Sequence, residues 1–325
     1  MNPKPKPNLA HVVDEFLELN DGTFQYTDRD TGRIYMEQIR WPQLVTEKFD
    51  GIRVHKENGI PYTRSGKAIP NHNIREALEM YPLDNFDAEI CLKDTLASFD
   101  EVQSSIMSRE GIPEVRVMIF DRIYPGIQAI GRVEGLEYIV DNMAIKRCMD
   151  AWPNVEFKAV EPIICKNLQQ LQKTVYHLAA RAEGACFKWA ESFYKRGRGT
   201  LKDQTLLKFK PFVDDEAIVI GFEELLINTN DQETNELGMT KRSKRKAGMI
   251  PANTLGSLVV LWKGQKRFTI GSGLSEKKRK HIWAHRKHFL GKTVCFKYQK
   301  FGMKQDGNPR TPIYKGFRDI SDLGE

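Results

Sequence analysis

Apolar residues recur along this chain in two rhythms. From Leu44 to Phe212, short apolar and β-branched runs are interspersed with longer stretches of helical spacing. The short runs predict strands at 44–47, 52–55, 86–91, 115–120, 185–189 and 205–209. The helical spacing predicts helices over 73–80, 99–108, 131–152 and 167–183. Strands and helices do not alternate regularly, so the pattern reads as α+β rather than as a doubly wound sheet. Upstream, residues 1 to about 40 read as a helix with some extended structure: the run from His11 to Leu17 has helical spacing, and Asn20-Asp21-Gly22 would end that helix.

The rhythm changes at Lys208-Phe209-Lys210-Pro211-Phe212, which an acidic pair, Asp214-Asp215, follows. A boundary there predicts two domains, 1–212 and 213–325, a size for each that suits one hydrophobic core. Beyond it the strand-like runs are 217–222, 255–262, 267–270, 293–297 and 312–317, with one helix over 275–289. Ser275-Glu276 suits a helix start. Five strands with a helix between the third and fourth fit a small OB-fold barrel, a fold that often binds nucleic acid. A polar insertion at 228–253 separates the first two strands and is expected to be mobile.

Charge sharpens this reading. The 325 residues carry a net +7, but Val213 to Glu325 holds 21 Lys+Arg against 13 Asp+Glu, whereas the first 212 residues hold 29 against 30. A basic excess confined to one segment is the electrostatic footprint of a nucleic-acid partner. Candidate contacts are Lys241, Arg242, Lys244, Arg245 and Lys246 in the insertion, and Lys277 and Lys278 on the helix. Five cysteines without a Cys-x-x-Cys pair argue against a disulfide framework or zinc knuckle and for a reducing compartment. The basic, proline-rich start Met1 to Pro7 does not read as a secretory signal. No stretch approaches the roughly 20 apolar residues of a membrane helix. The expectation is a cytoplasmic protein with no membrane partner.

The chemistry concentrates in a few segments. Lys48-Phe49-Asp50-Gly51-Ile52-Arg53 follows the apolar pair Leu44-Val45. Lysine is a poor nucleophile near neutrality because its reference pKa is about 10.4. Burial and neighbouring cations such as Arg53 would lower it and free the amine to form a covalent intermediate. By itself the string also suits a surface hairpin with an Asp-Gly turn. Thr63-Arg64-Ser65-Gly66-Lys67 offers two cations at a glycine turn, suited to phosphate. Glu89 ends one apolar run, where it could accept from a ribose hydroxyl, and Phe120 ends another, where it could stack on a base. Glu183-Gly184 precedes the strand that carries Lys188. In Leu206-Leu207-Lys208-Phe209-Lys210, alternation turns both lysines to one face. Singly, each has an ordinary structural explanation; together they assemble a nucleotide pocket. His281, His285 and His288 share a helix face but stand among basic residues without Cys or Asp ligands, and are read as a solvated or phosphate-facing surface.

This set resembles the covalent nucleotidyltransferases: ATP-dependent DNA ligases, RNA ligases and mRNA capping enzymes. The Lys-x-Asp-Gly-x-Arg core matches at Lys48 to Arg53, and further segments match at Arg64, Glu89, Phe120, Glu183 and Lys208 with Lys210. Within that superfamily the chain is most similar to short phage-type DNA ligases, an adenylation domain followed by an OB domain. Tyr194-Lys195-Arg196-Gly197-Arg198 and the 255–274 region favour that branch. The resemblance implies Lys48 as the residue that carries AMP. It implies Lys208 and Lys210 as catalytic cations, and Thr46, Glu47, Arg53, Arg64, Glu89 and Phe120 as nucleotide contacts. Glu183 and Glu89 would serve Mg²⁺, with Mn²⁺ able to substitute, and Arg64 would also meet the 5′-phosphate of DNA. It further implies ATP as the nucleotide and nicked duplex DNA as the partner, clamped by a monomer. Three departures stand out. Asp87-Ala88-Glu89 replaces the common Asp-Gly-Glu, and Thr46 with Glu47 replaces a glutamate two positions before the lysine. The C-terminal Arg-x-Asp-Lys segment is met only by Lys315-Gly316-Phe317-Arg318-Asp319. An RNA ligase or a GTP-using capping enzyme keeps the same lysine chemistry and stands as the alternative, and a degenerate binding module is the non-enzymatic one.

Overall fold

A computed structural model of the chain describes residues 5–13, 15–16, 22–27, 33–95, 97–234, 240–243, 245–303 and 307–318. Every second residue of its strand Val115–Arg122 is buried, so one face of that strand is core and the other is not. The first unit, which comprises Met1–Lys210 and Thr234–Met239, holds two five-stranded sheets. One sheet runs in the order Val155–Ala159, Val115–Arg122, Phe86–Leu92, Ile52–Glu57, Ile60–Thr63. Ile52, Val54, Phe86, Ala88, Ile90, Val115, Val117 and Ile119 form its core with helices His72–Met80 and Phe99–Met107. The other runs Ile163–Cys165, Gln43–Glu47, Ala185–Trp189, Leu207–Phe209, His11–Val12. Val45, Ala185, Phe187 and Leu207 bury there against Leu171, Val175 and Leu178 of helix Leu168–Ala179. The helices start where the chain supplies caps: Asn71 accepts from Ile74 N–H at 2.9 Å and Asn167 from Gln170 N–H at 3.0 Å.

The second unit comprises Pro211–Glu233 and Thr240–Glu325. Its five antiparallel strands run Lys266–Ile270, Met249–Trp262, Val213–Asn228, Thr293–Gln299, Arg310–Phe317. A parallel bridge, Ser272–Ile313, draws the two edges together, and among the described residues no longer ladder closes the barrel. Trp262 packs edge-on against Phe268, Phe296 and Tyr298 at the centre of the core. The helix begins at Ser275, whose hydroxyl accepts from Lys278 N–H at 3.3 Å.

The α+β reading with an OB-type sheet stands, but three expectations change. The helix expected from His11 gives way to strands: His11–Val12 pairs in parallel with Leu207–Lys208, held by His11 N–H to Leu206 O at 3.0 Å and Val13 N–H to Lys208 O at 2.9 Å. The β-branched Val12 and Val13 suit that edge better than a helix; position 14 and positions 17–21 lie outside the described residues. The single helix over 131–152 is three short ones, Ala129–Val133, Leu136–Val140 and Met143–Cys148, because Gly135 takes a left-handed conformation at φ 68°. The insertion carries strand structure where it is described. Its flanks lengthen the two adjoining strands, which pair as far as Asn228 and Met249. Gln232–Thr234 and Thr240–Arg242 form a two-stranded sheet beyond them, and the Asn230 amide donates to Ser243 O at 2.9 Å and Arg245 O at 3.1 Å.

His55 lies fully buried in the first sheet, with neither ring nitrogen hydrogen-bonded. Burial holds its pKa below the ordinary value of 6.5, so the folded chain keeps the ring neutral where the unfolded chain takes a proton. The stability this contributes is present above about pH 6.5 and is lost as the pH falls through the depressed folded value. In chemical denaturation between pH 6.5 and 5, the wild type is expected to lose up to about 1.4 kcal/mol more per pH unit than His55→Phe. Parallel acid limbs would contradict it.

Candidate active site

Side chains from both sheets of the first unit line one cleft of about 170 Å³. Strand alternation delivers them: Ile52, Val54, Ala88 and Ile90 go to core, leaving Arg53 and Glu89 to the cleft, and Phe120 lies on the cleft face of its strand. From the second sheet come Thr46, Cys186, Lys188 and Lys208, whose neighbours Val45, Phe187 and Leu207 are core. Glu47 lines the cleft as well, and Arg64 and Arg198 contribute from exposed positions.

Lys48 stands one residue past strand Gln43–Glu47. Its N–H donates to Gly184 O at 3.0 Å and prolongs the Glu47–Ala185 ladder, which sets Lys48 beside Glu183. Both nearby glycines are required by crowding. A Cβ on Gly184 would overlap the Phe209 carbonyl, and one on Gly51 would overlap the Ile90 carbonyl and lie 2.9 Å from Glu89 Cγ. The Asp-Gly step therefore lets two strands approach closely, a role beyond the turn expected of it.

Glu183 is 3% exposed, and its two oxygens accept separately from Lys48 Nζ and Lys210 Nζ. Burial alone would raise its pKa, but the two ammonium groups hold it below the ordinary carboxylate range. Burial alone would also lower Lys48, yet Glu183, with Glu89 behind it, outweighs that and holds the ammonium above the usual lysine range. The expectation that Lys48 is poised as a free amine is corrected: without a ligand it is a paired cation. Lys208 is the lysine that loses its proton easily. Among the described residues it has no carboxylate partner, and burial together with Lys48 and Lys210 pushes it down to about 8. Glu89, desolvated and close to Glu183 and Asp87, rises to about 7 despite Lys48 and Arg53.

Arg53 is committed to partners of its own. Its guanidinium makes a bidentate pair with Asp87 at 2.6 and 2.8 Å, donates to Asn8 O at 3.0 Å, and lies 4.5 Å above the Phe120 ring. Tyr194 hydroxyl donates to Asp87 at 2.7 Å and accepts from Asn8 N–H at 3.1 Å. A second buried set, Asp121 with Lys188 at 2.6 Å and Arg132 at 2.8 Å, fixes the other wall. Burial lowers the Lys188 pKa even against Asp121. Sequence reasoning missed Asp87, although it stands two positions before Glu89 on the same strand face. It also missed Leu9 and Ala10, which line the cleft next to the pairing of Asn8–Leu9 with Gly197–Arg198, nearly 190 positions away.

The basic candidates of the second unit are on its surface. Arg245, Lys246, Lys277 and Lys278 are exposed, with Lys278 Nζ 5.3 Å from the Tyr314 ring. Arg242 is bound to Asn230 O and Gln232 within the insertion. Lys244 and the side chain of Lys241 lie outside the described residues. His285 Nδ1 meets the carbonyl of His281 at 2.9 Å, and among the described residues no cluster of His, Cys, Asp and Glu is built to hold a metal by itself. Arg318 pairs with Glu216 at 2.6 Å and Lys315 with Asp214 at 2.6 Å, while Asp319 lies outside the described residues.

This charge arrangement predicts an order of amine reactivity. Under limited acetylation with peptide mapping, Lys208 should reach half its maximal rate near pH 8, and Lys48 should need a higher pH. Glu183→Gln should move Lys48 to lower pH, because its counter-ion is gone. Equal profiles for the two lysines would refute the assignment.

Residues 249–318 match the family model described as the DNA ligase OB-like domain. In fold the chain is similar to the Chlorella virus DNA ligase-adenylate, at 24% identity over 96% of this chain and 99% of that one, with a TM-score of 0.51. It is also similar to a Lig E DNA ligase, at 24% identity over 85% of this chain and 92% of that one, with a TM-score of 0.59. No curated protein matches the chain. The chain has the fold of these DNA ligases, and in residues 249–318 it carries the sequence pattern of a DNA ligase OB-like domain.

Proposed function

We propose that this chain is an ATP-dependent DNA ligase that seals 5′-phosphate/3′-hydroxyl nicks in duplex DNA. One observation supports this above others: Lys48, Glu89, Phe120, Glu183 and Lys208 converge between two sheets in a chain with a ligase-type OB segment. In the first step Lys48 Nζ attacks the α-phosphorus of ATP, an N–P bond forms, the bond to the β-phosphate oxygen breaks, and pyrophosphate leaves. Lys48 must first shed its proton. Glu183, whose oxygen already accepts from Lys48 Nζ, is the base placed to take that proton, which leaves a neutral amine on Lys48. Lys208 and Lys210 then stabilise charge developing at phosphorus. Phe120, with Arg53 above it, offers a ring to the base, and Glu89 an acceptor to the ribose. AMP passes next to the 5′-phosphate of the nick, held by Arg64, and the 3′-hydroxyl displaces it.

Mg²⁺ fits the donor set, since this cation needs only one or two protein carboxylates and keeps its waters. Glu89 and Glu183, which interact with each other and with Lys48, would hold it. When bound it would neutralise phosphate charge. The 213–325 domain would bind DNA through phosphates, without base specificity, and the protein would act as a monomer. The OB segment favours DNA over the RNA-ligase and capping alternatives.

With α-labelled ATP and a divalent cation, the protein is expected to form an acid-stable labelled adduct that GTP and NAD⁺ do not replace. Lys48→Ala should abolish it and Glu183→Gln should reduce it at least about 100-fold. An adduct that survives Lys48→Ala would sink the proposal. For DNA, charge removal at Arg245, Lys246 and Lys277 should flatten the dependence of log K on log salt for nicked duplex by about 0.9 for each phosphate no longer neutralised. An unchanged slope would place the DNA elsewhere.

A further inference from the structure

In the second unit, helix Glu276–Ala284 carries His281 in its last turn and His285 as its C-cap, both exposed. Four positions apart, they share one side of the helix. Their ring centroids lie 4.6 Å apart, with the planes tilted by 40°. The His285 N–H donates to His281 O at 3.1 Å, and its Nδ1 meets the same oxygen at 2.9 Å. A carbonyl oxygen only accepts, so Nδ1 carries a proton and, in the neutral ring, Nε2 keeps a bare lone pair. Metal-binding imidazoles are held in this way: one nitrogen donates to a carbonyl, which fixes the ring, and the other faces the ion. The His281 ring stands edge-on to Phe289 at 5.8 Å and makes no hydrogen bond among the described residues, so it too has a lone pair to give. Two imidazoles bound to one ion at about 2.0–2.1 Å place their ring centroids about 5 Å apart. The observed pair is close to that geometry without an ion. Spacing alone showed a shared face; the ring separation and the fixed tautomer are what the fold adds.

The surroundings select the ion. Lys277 stands one turn before His281, and Lys280, Arg286 and Lys287 are exposed on the same segment. The carboxylate of the helix, Glu276, is paired with Lys280 at 2.8 Å. Hard cations such as Mg²⁺ and Ca²⁺ need oxygen ligands and find none here. Zn²⁺ and Cu²⁺ bind neutral imidazole nitrogen and do not require a carboxylate. His288 stays outside the pair, since its Nε2 accepts from Lys292 Nζ at 2.7 Å.

We propose that His281 and His285 form an open site for a divalent transition metal of the Zn²⁺ and Cu²⁺ class, with the two imidazoles in adjacent positions and water in the others. Nucleotide chemistry in the cleft of the first unit has no part in this site, which stands or falls independently of the ligase assignment.

The test titrates the full chain, free of any histidine tag, with Cu²⁺–iminodiacetate, a chelate that leaves room on the metal for two imidazoles. Electron paramagnetic resonance then counts the nitrogens coupled to copper. Two imidazole nitrogens are expected at saturation, and Zn²⁺ should displace the chelate whereas Mg²⁺ should not. His281→Ala and His285→Ala should each weaken binding at least about 10-fold and leave one coupled imidazole, because the second ligand no longer binds from the same helix. His288→Ala should leave affinity and spectrum unchanged. Both members of the pair are exposed, and an unchanged melting temperature in each variant would show that the fold is intact. Wild-type affinity in His281→Ala or His285→Ala, a single coupled imidazole in the wild type, or displacement by Mg²⁺ would each overturn the proposal.

Discussion

One buried carboxylate, Glu183, holds the cleft of the first unit together. It accepts from Lys48 on one oxygen and Lys210 on the other, and so ties the end of one strand to the end of another two positions away in the same sheet. Breaking such a pair would leave uncompensated buried charge, at about 3–5 kcal/mol. The same contact sets the charge state: it holds the Lys48 pKa above the usual lysine range, while among the described residues Lys208 has no carboxylate partner of its own.

Close backbone approach makes that contact possible. Gly184 lets the Phe209–Lys210 backbone pass directly over it, and Gly51 does the same for strand Phe86–Leu92. Around this centre two buried ionic sets fix the walls, Arg53 with Asp87 and Tyr194, and Asp121 with Lys188 and Arg132. Each charge in them is paired, which is the condition under which charges persist in a desolvated cleft. Arg53 and Lys188 are committed to carboxylates, whereas Lys208, Arg64 and Arg198 line the cleft beside them.

Much of this was legible in the sequence. Strand alternation placed Lys208 on the face opposite Leu207 and Phe209, and the same period carried Glu89 and Phe120 to the cleft side of core strands. The Lys-Phe-Asp-Gly-Ile-Arg string, the Glu-Gly step and the paired lysines marked residues that do converge. Helical spacing misled at His11, where a neighbouring strand edge offered hydrogen bonds that spacing cannot register. It misled again across 131–152, where Gly135 interrupts a pattern that otherwise continues.

Local period and residue chemistry, which are properties of neighbouring residues, determined the strands, the α+β class, the basic C-terminal segment and many of the residues that line the cleft. The electrostatic state of those groups came only with the tertiary structure. Whether Lys48 is a free amine or a bound cation depends on Glu183, 135 residues away, and the duty of Arg53 depends on Asp87 and Asn8. A pKa is set by burial and by charges within a few ångströms. Those distances exist only once the chain has folded and brought remote segments together.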